Sequence, residues 1–204
     1  MPTLPDLLAP SHTALLIMEC QEGIVGSGAA LGALGEAVQR HGTIGQIKRV
    51  LDAARAVNVP VFYLTMARRP DSAGTPANCM LLALGRKGEP LVPGSARQAV
   101  VSELAPRDSD FVLTRFHGVT PFHGTELDQL LRNLGVRTVI ATGVSINIGI
   151  TGLTIEAVNA GYQVVIPRQA VTGTPDEYVD AVLTNTLRLL ATIAPVDDVI
   201  AAWQ

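Results

Sequence analysis

Five short, nearly unbroken apolar runs, each followed by a longer stretch of helical spacing, constrain this chain more than any other feature. They are Thr13–Met18, Val59–Met66, Phe111–Thr114, Thr138–Thr142 and Gln163–Ile166, with a weaker sixth near Ile193–Val196. A strand with one wet face alternates apolar and polar residues, whereas a strand apolar throughout is covered on both faces, as in parallel sheets. Between the runs, Ile44–Val57, Ala96–Leu104, Thr125–Leu134, Ile146–Ala160 and Pro175–Ala191 carry apolar residues every three or four positions and are predicted crossover helices. The first begins as early as Leu31 or only later, because Gly32, Gly35 and Gly42 each cost about 1 kcal/mol relative to Ala. The expectation is an α/β fold of repeated βα units around a mainly parallel six-stranded sheet. At 204 residues and 48% hydrophobic, the chain fills one core and is expected to form a single domain over residues 1–204.

Charge narrows the partners. Fifteen Lys and Arg face eighteen Asp and Glu, with no basic block to neutralise phosphates, so nucleic acid is not an expected partner. Met1 to Ser11 lacks the basic start and long apolar stretch of a signal peptide, and no run reaches the eighteen apolar residues of a membrane helix. The only cysteines, Cys20 and Cys79, make neither a disulfide framework nor a metal-spaced pair, so a soluble protein in a reducing cytoplasm is expected. The four histidines, His12, His41, His117 and His123, also lack ligand spacing, so no metal is expected. From Ala67 to Ser95, Gly and Pro recur without a sustained period. This segment follows a strand's C-terminal end, where parallel sheets bind ligands, and is read either as a pocket lid or as a surface excursion.

Three segments carry candidate chemistry. Glu19 is the first charge after the apolar run that ends at Met18, which places a carboxylate at the rim of the sheet, either for proton transfer or as a solvated strand end. The run Asp110 to Leu127 delivers Arg115 and His117 to the same rim, before a turn shaped by Gly118 and Pro121 and a helix capped by Thr125. Arg115 is expected to anchor an anionic substrate or to pair with Glu19. His117 is a base, a hydrogen-bond donor or a structural residue. In the third segment, Val139 to Ala157, a strand and a Gly turn lead into a helix whose first N–H groups, over Val144–Gly149, can cradle an oxyanion or carboxylate. Its glycines match neither nucleotide fingerprint, so no cofactor is expected.

Together these segments resemble the isochorismatase-like hydrolase superfamily, the cysteine hydrolases, over roughly Thr13 to Val199. Met18-Glu-Cys-Gln21 is similar to the family's apolar-Asp-x-Gln. Arg115 before Thr120-Pro-Phe-His-Gly-Thr125 is similar to its catalytic Lys and following turn, with a loop one residue longer before Thr120. Thr142-Gly-Val-Ser-Ile-Asn-Ile-Gly149 is similar to Thr-Gly-Val plus four residues plus the nucleophilic Cys. The resemblance implies a three-layer Rossmann-like fold, a homodimer or homotetramer with contacts from Ile146–Ala160 and Ala201–Gln204, and a cis bond at Val144–Ser145.

All three catalytic positions depart from that pattern. Asp, Lys and Cys become Glu19, Arg115 and Gly149. Glycine cannot attack a carbonyl, and Arg cannot exchange a proton near neutral pH. Neither Lys48 nor Lys87 lies on the third strand. True isochorismatases also carry Gly at the nucleophile position and protonate an enol ether before water adds. Here, however, Met66 stands at that branch's polar substrate position and Asn147 replaces its His. Met66-Ala-Arg-Arg-Pro-Asp71 also lacks the Asp-x-His loop of the zinc-binding nicotinamidases.

The reading that follows is a hydrolase of a small enol-ether, amide or related carbonyl compound. It works without cysteine, with Glu19 as acid or base, Arg115 as anchor, and Val144, Ser145, Asn147, Gly149, His117 and Met66 about the substrate. The alternative is an inactive family member that binds small molecules or serves assembly. A third reading places a thiol nucleophile at Cys20, which strand alternation turns away from the pocket if Glu19 faces it.

Overall fold

Six parallel strands form one sheet in the order β3-β2-β1-β4-β5-β6 in a computed structural model that describes residues 2–26, 29 and 32–204. They are β1 (Thr13–Met18), β2 (Val61–Met66), β3 (Phe111–Arg115), β4 (Thr138–Gly143), β5 (Gln163–Pro167) and β6 (Thr192–Ala194). Each coincides with one of the six expected runs to within one or two residues, except that the second starts after Pro60, which has no N–H to give a ladder.

Nine α-helices lie among the described residues: α1 (Leu4–Leu7), α2 (Glu22–Val25), α3 (Gly32–Arg40), α4 (Thr43–Ala56), α5 (Met80–Lys87), α6 (Leu127–Asn133), α7 (Thr151–Asn159), α8 (Asp176–Asn185) and α9 (Val196–Ala201). Strand alternation splits the core into two layers. Leu15, Ile17, Val61, Tyr63, Ile140 and Val165 pack with Leu34 and Val38 of α3, Ile47, Val50, Leu51 and Ala54 of α4, and Val196 and Val199 of α9. Leu16, Met18, Phe62, Leu64, Val139, Ala141 and Val164 face Leu127 and Leu131 of α6, Leu153 and Ala157 of α7, and Val179, Val182 and Leu183 of α8. The result is a three-layer α/β/α sandwich.

Four helical expectations need correction. Ala96–Leu104 is not a crossover helix: only Ser102–Leu104 turns, as a 3₁₀ segment, because Val100 bridges antiparallel to Gln21 and Val101 N–H bonds Cys20 O at 3.0 Å. The backbone groups a helix needs are spent on the end of β1. The irregular segment Ala67–Ser95 contains α5, whose weak period went unread because none of its side chains is buried. The predicted Ile44–Val57 is α4 within a residue, and the stretch before it is a separate helix, α3, divided from it at Gly42, which takes the left-handed φ of 59°; the possible start at Leu31 lies outside the described residues. Finally, Ile146–Ala160 opens with a π-turn over Ile146–Ile150, and Pro175–Ala191 breaks at Thr186 into α8 and a 3₁₀ turn.

Strand order reverses between β1 and β4, since successive units run one way to β3 and the other way to β6. The crevice beyond the C-terminal ends of those two strands is where open α/β sheets place their ligands. At the C-terminus, Trp203 Nε1 donates to Leu8 O at 2.7 Å, so the ring is used within the chain.

Candidate active site

Glu19 leaves β1 in the left-handed region, φ 54°, a conformation that costs a non-glycine residue on the order of 1 kcal/mol and persists where surrounding contacts enforce it. Its N–H donates to Leu64 O of β2 at 3.0 Å, and its carboxylate pairs with Arg115 at the end of β3. The Arg115 side chain is 5% exposed and that of Glu19 16%, so the pair is nearly dry. Arg115 thus spans β2 to reach the switch point. Of the two roles expected for it, the ion pair is the one formed. Its Nε lies 3.5 Å from Gly118 O, and its Nη1 is buried with no acceptor.

Gln21 holds the rim together, a role not read from its motif. Fully buried, its Nε2 donates to Met66 O at 2.9 Å and Gln98 O at 2.8 Å, while its Oε1 accepts from Met66 N at 2.8 Å. Met66 therefore stands beside the site, in register with Arg115 across β2 and β3. A polar residue straight after an apolar strand was the available signal.

On the other side of the switch point, Gly143 turns the chain against β1. Its φ is 104°, and a Cβ there would lie 2.1 Å from Met18 O. Val144 N–H then bonds Met18 O at 3.1 Å, the Val144–Ser145 bond is cis, and Ile146 N–H is held by Thr172 O at 2.9 Å. Ile148 N–H bonds Ser145 O. The expected Val144–Gly149 cradle is thereby narrowed, because the N–H groups of Val144, Ile146 and Ile148 are engaged. The Asn147 carboxamide Oδ1 is buried without a donor, against Gly173. Gly149 is buried beneath Met18: a Cβ there would stand 3.0 Å from Met18 Cε and from Val144 O. Met18 thus occupies the side of Gly149 where a side chain would emerge.

His117 is not brought to the pair. It is exposed on the loop after β3, where a Cβ on Gly124 would come within 2.7 Å of its ring, which lies edge-on to His123 at 6.4 Å between centroids. The structural reading fits that position. Thr125 Oγ1 accepts from Leu127 N at 3.2 Å just before α6, but the N-cap residue of that helix is Glu126, not the expected Thr125. Cys20 is buried in the core layer that holds Ile17, Tyr63 and Val144, and burial pushes its thiol up to about 12, so it holds its proton at neutral pH. A thiol so placed does not suit the nucleophile reading of Cys20. Among the described residues no three His, Cys, Asp or Glu side chains group as metal ligands. Two hollows lie elsewhere: one of about 520 Å³ beside α2 and residues 96–102, and one of about 380 Å³ at the opposite, N-terminal end of the sheet.

A parallel sheet with an acidic residue after β1, a cation ending β3 and a glycine-turned, cis-bonded loop after β4 defines a class of α/β hydrolytic folds. The chain belongs to the isochorismatase family, whose domain matches residues 13–198. It is 29% identical to the ureidoacrylate amidohydrolase RutB of Rhizobium rhizogenes over 210 residues, covering 95% of this chain and 84% of the relative. Among solved structures it is similar to a cysteine hydrolase from Pseudomonas syringae pv. phaseolicola, with a TM-score of 0.85 at 23% identity, covering 97% and 94% of the two chains. An isochorismatase family protein from Desulfovibrio vulgaris matches with a TM-score of 0.80 at 27% identity, covering 93% and 98%. The first of these structures speaks for the fold alone.

Proposed function

We propose that this chain hydrolyses a small amide or related carbonyl compound without a covalent thiol intermediate. The observation that carries this reading is the nearly dry Glu19–Arg115 pair at the switch point of a sheet whose only nearby cysteine is buried and protonated. Family membership and amidohydrolase relatives support hydrolysis and an amide-like substrate. A carboxylate held as an ion pair is a proton acceptor, so Glu19 acts first as base on a water that attacks the carbonyl, then returns the proton to the leaving nitrogen. Arg115 stays charged throughout and keeps Glu19 aimed, and its unpaired Nη1 donates to a substrate oxygen. The N–H groups of Ser145 and Asn147 receive the developing oxyanion. Met66 and Asn147 contact the substrate, and His117, on the exposed loop, takes no part in the chemistry.

A binding-only role is the second reading, favoured by Met18 over Gly149, which closes the place from which a nucleophile would act. Ammonia release separates the two. Ligands from a thermal-shift screen of small amides and ureides are incubated with the wild type and with Glu19→Gln. Conversion by the wild type, reduced about 10²–10⁴-fold in the variant, is the expected result. Binding of many such compounds with conversion of none establishes the second reading instead.

A further inference from the structure

His117 and His123 are two histidines that the fold brings together, although no ligand spacing in the sequence announces them. The loop after β3 that carries them turns at Gly118 and Gly124, both at φ 74°. Its middle is anchored inward: Thr120 Oγ1 donates to Glu156 Oε1 of α7 at 2.8 Å, Phe122 packs on the layer of α6, α7 and α8 and stands 6.1 Å from the Tyr162 ring between centroids, and Thr125 Oγ1 donates to Pro121 O. With the middle held, both imidazoles are left exposed on the outside, edge-on to one another at 6.4 Å between centroids. No described residue hydrogen-bonds either ring. The remaining histidines are placed elsewhere: His41 is held by Asp176, and His12 lines the hollow at the N-terminal end of the sheet.

A neutral imidazole offers a nitrogen lone pair, and two such rings at one place suit a borderline transition metal rather than hard magnesium or calcium. With metal–nitrogen bonds of about 2.1 Å, two imidazoles on one tetrahedral ion hold their centroids about 5 Å apart, so this pair has about 1 Å to close. Rotation about the side-chain torsions of two exposed residues supplies that movement. Charge does not oppose a cation here, because Arg115, two residues before His117, is already paired with Glu19, and the net charge of the chain is -3. Among the described residues no third His, Cys, Asp or Glu joins the two rings, so water fills the other positions.

We propose that His117 and His123 form a binding site for one divalent transition-metal ion of the zinc or nickel class. An ion on both rings closes residues 117–123 into a ring beside the candidate site, where Gly118 O lies 3.5 Å from Arg115 Nε. The inference is independent of the proposed hydrolysis, and its test needs no turnover.

Calorimetric titration of the untagged protein with zinc, nickel and magnesium chloride tests it. The expected result is one zinc or nickel ion bound per chain, with magnesium bound far more weakly. His117→Ala and His123→Ala, both of exposed side chains, should each weaken zinc and nickel binding at least about tenfold, since even an outer-shell partner of a metal site is worth that much. His41→Ala should leave it unchanged. A wild type that binds neither zinc nor nickel overturns the inference, as does magnesium bound equally tightly, or an affinity unchanged in either His117→Ala or His123→Ala. Binding lost in Cys79→Ser also overturns it, by placing the ion at the exposed thiol.

Discussion

Glu19 shows what a single residue can reveal before and after folding. Its position after five apolar residues, Ala14 to Met18, marks it as a rim carboxylate, while its left-handed backbone is invisible in the sequence, because φ there belongs to the tertiary structure. Arg115 was legible as a cation at the same rim, but the choice between holding a substrate and holding Glu19 depended on the reach of its side chain across β2. Strand alternation also said that Cys20 turns away, and the buried, protonated thiol agrees. Iodoacetamide should therefore leave Cys20 unmodified in the native protein and label it only on unfolding, read by peptide mass spectrometry. Cys20→Ala should keep full turnover, and a native-state adduct at Cys20 with loss of activity would contradict this.

At the scale of elements, periodicity located all six strands because each is apolar on both faces, and it failed where the backbone's partners decide. Ala96–Leu104 has helical spacing, yet it spends its N–H and C=O groups on Cys20, Gln21 and the start of α2, an exchange no local pattern encodes. The opposite failure is α5, a helix with no buried side chain whose end is held by Arg68. Gly143 is the element junction on which the site depends most. Gly143→Ala places a Cβ against Met18 O in a left-handed conformation, and the backbone shift required should cost about 3 kcal/mol. The urea midpoint reports that cost, and turnover should fall with it, because β4 delivers the Ser145 and Asn147 N–H groups. An Ala variant of unchanged midpoint would show that the β1–β4 contact is looser than described.

For the whole molecule, burial of weak acids sets the alkaline limit. Desolvation, as the largest cause, pushes Tyr63 and Tyr162 up to about 12 from 10.0, and Cys20 to about 12 from 9.0. Each group keeps its proton in the fold after the unfolded chain has lost it, so unfolding draws on ionisation once the pH exceeds the unfolded values. Stability is thus fully present below about pH 9 and falls as the pH rises from 9 toward 12. Urea midpoints across that range should decline, and Tyr63→Phe should flatten the decline above pH 10 after allowance for its lost hydrogen bond from Arg55 at 3.2 Å. A midpoint constant to pH 11 would place these groups in wetter surroundings. The central claim, however, is hydrolysis by the Glu19 carboxylate without a thiol. Ammonia release from the small amides and ureides that bind, compared between wild type, iodoacetamide-treated wild type and Glu19→Gln, tests it most directly. Unimpaired release after alkylation with at least about a 100-fold loss in Glu19→Gln is the predicted result; release abolished by alkylation, or undiminished in Glu19→Gln, would contradict it.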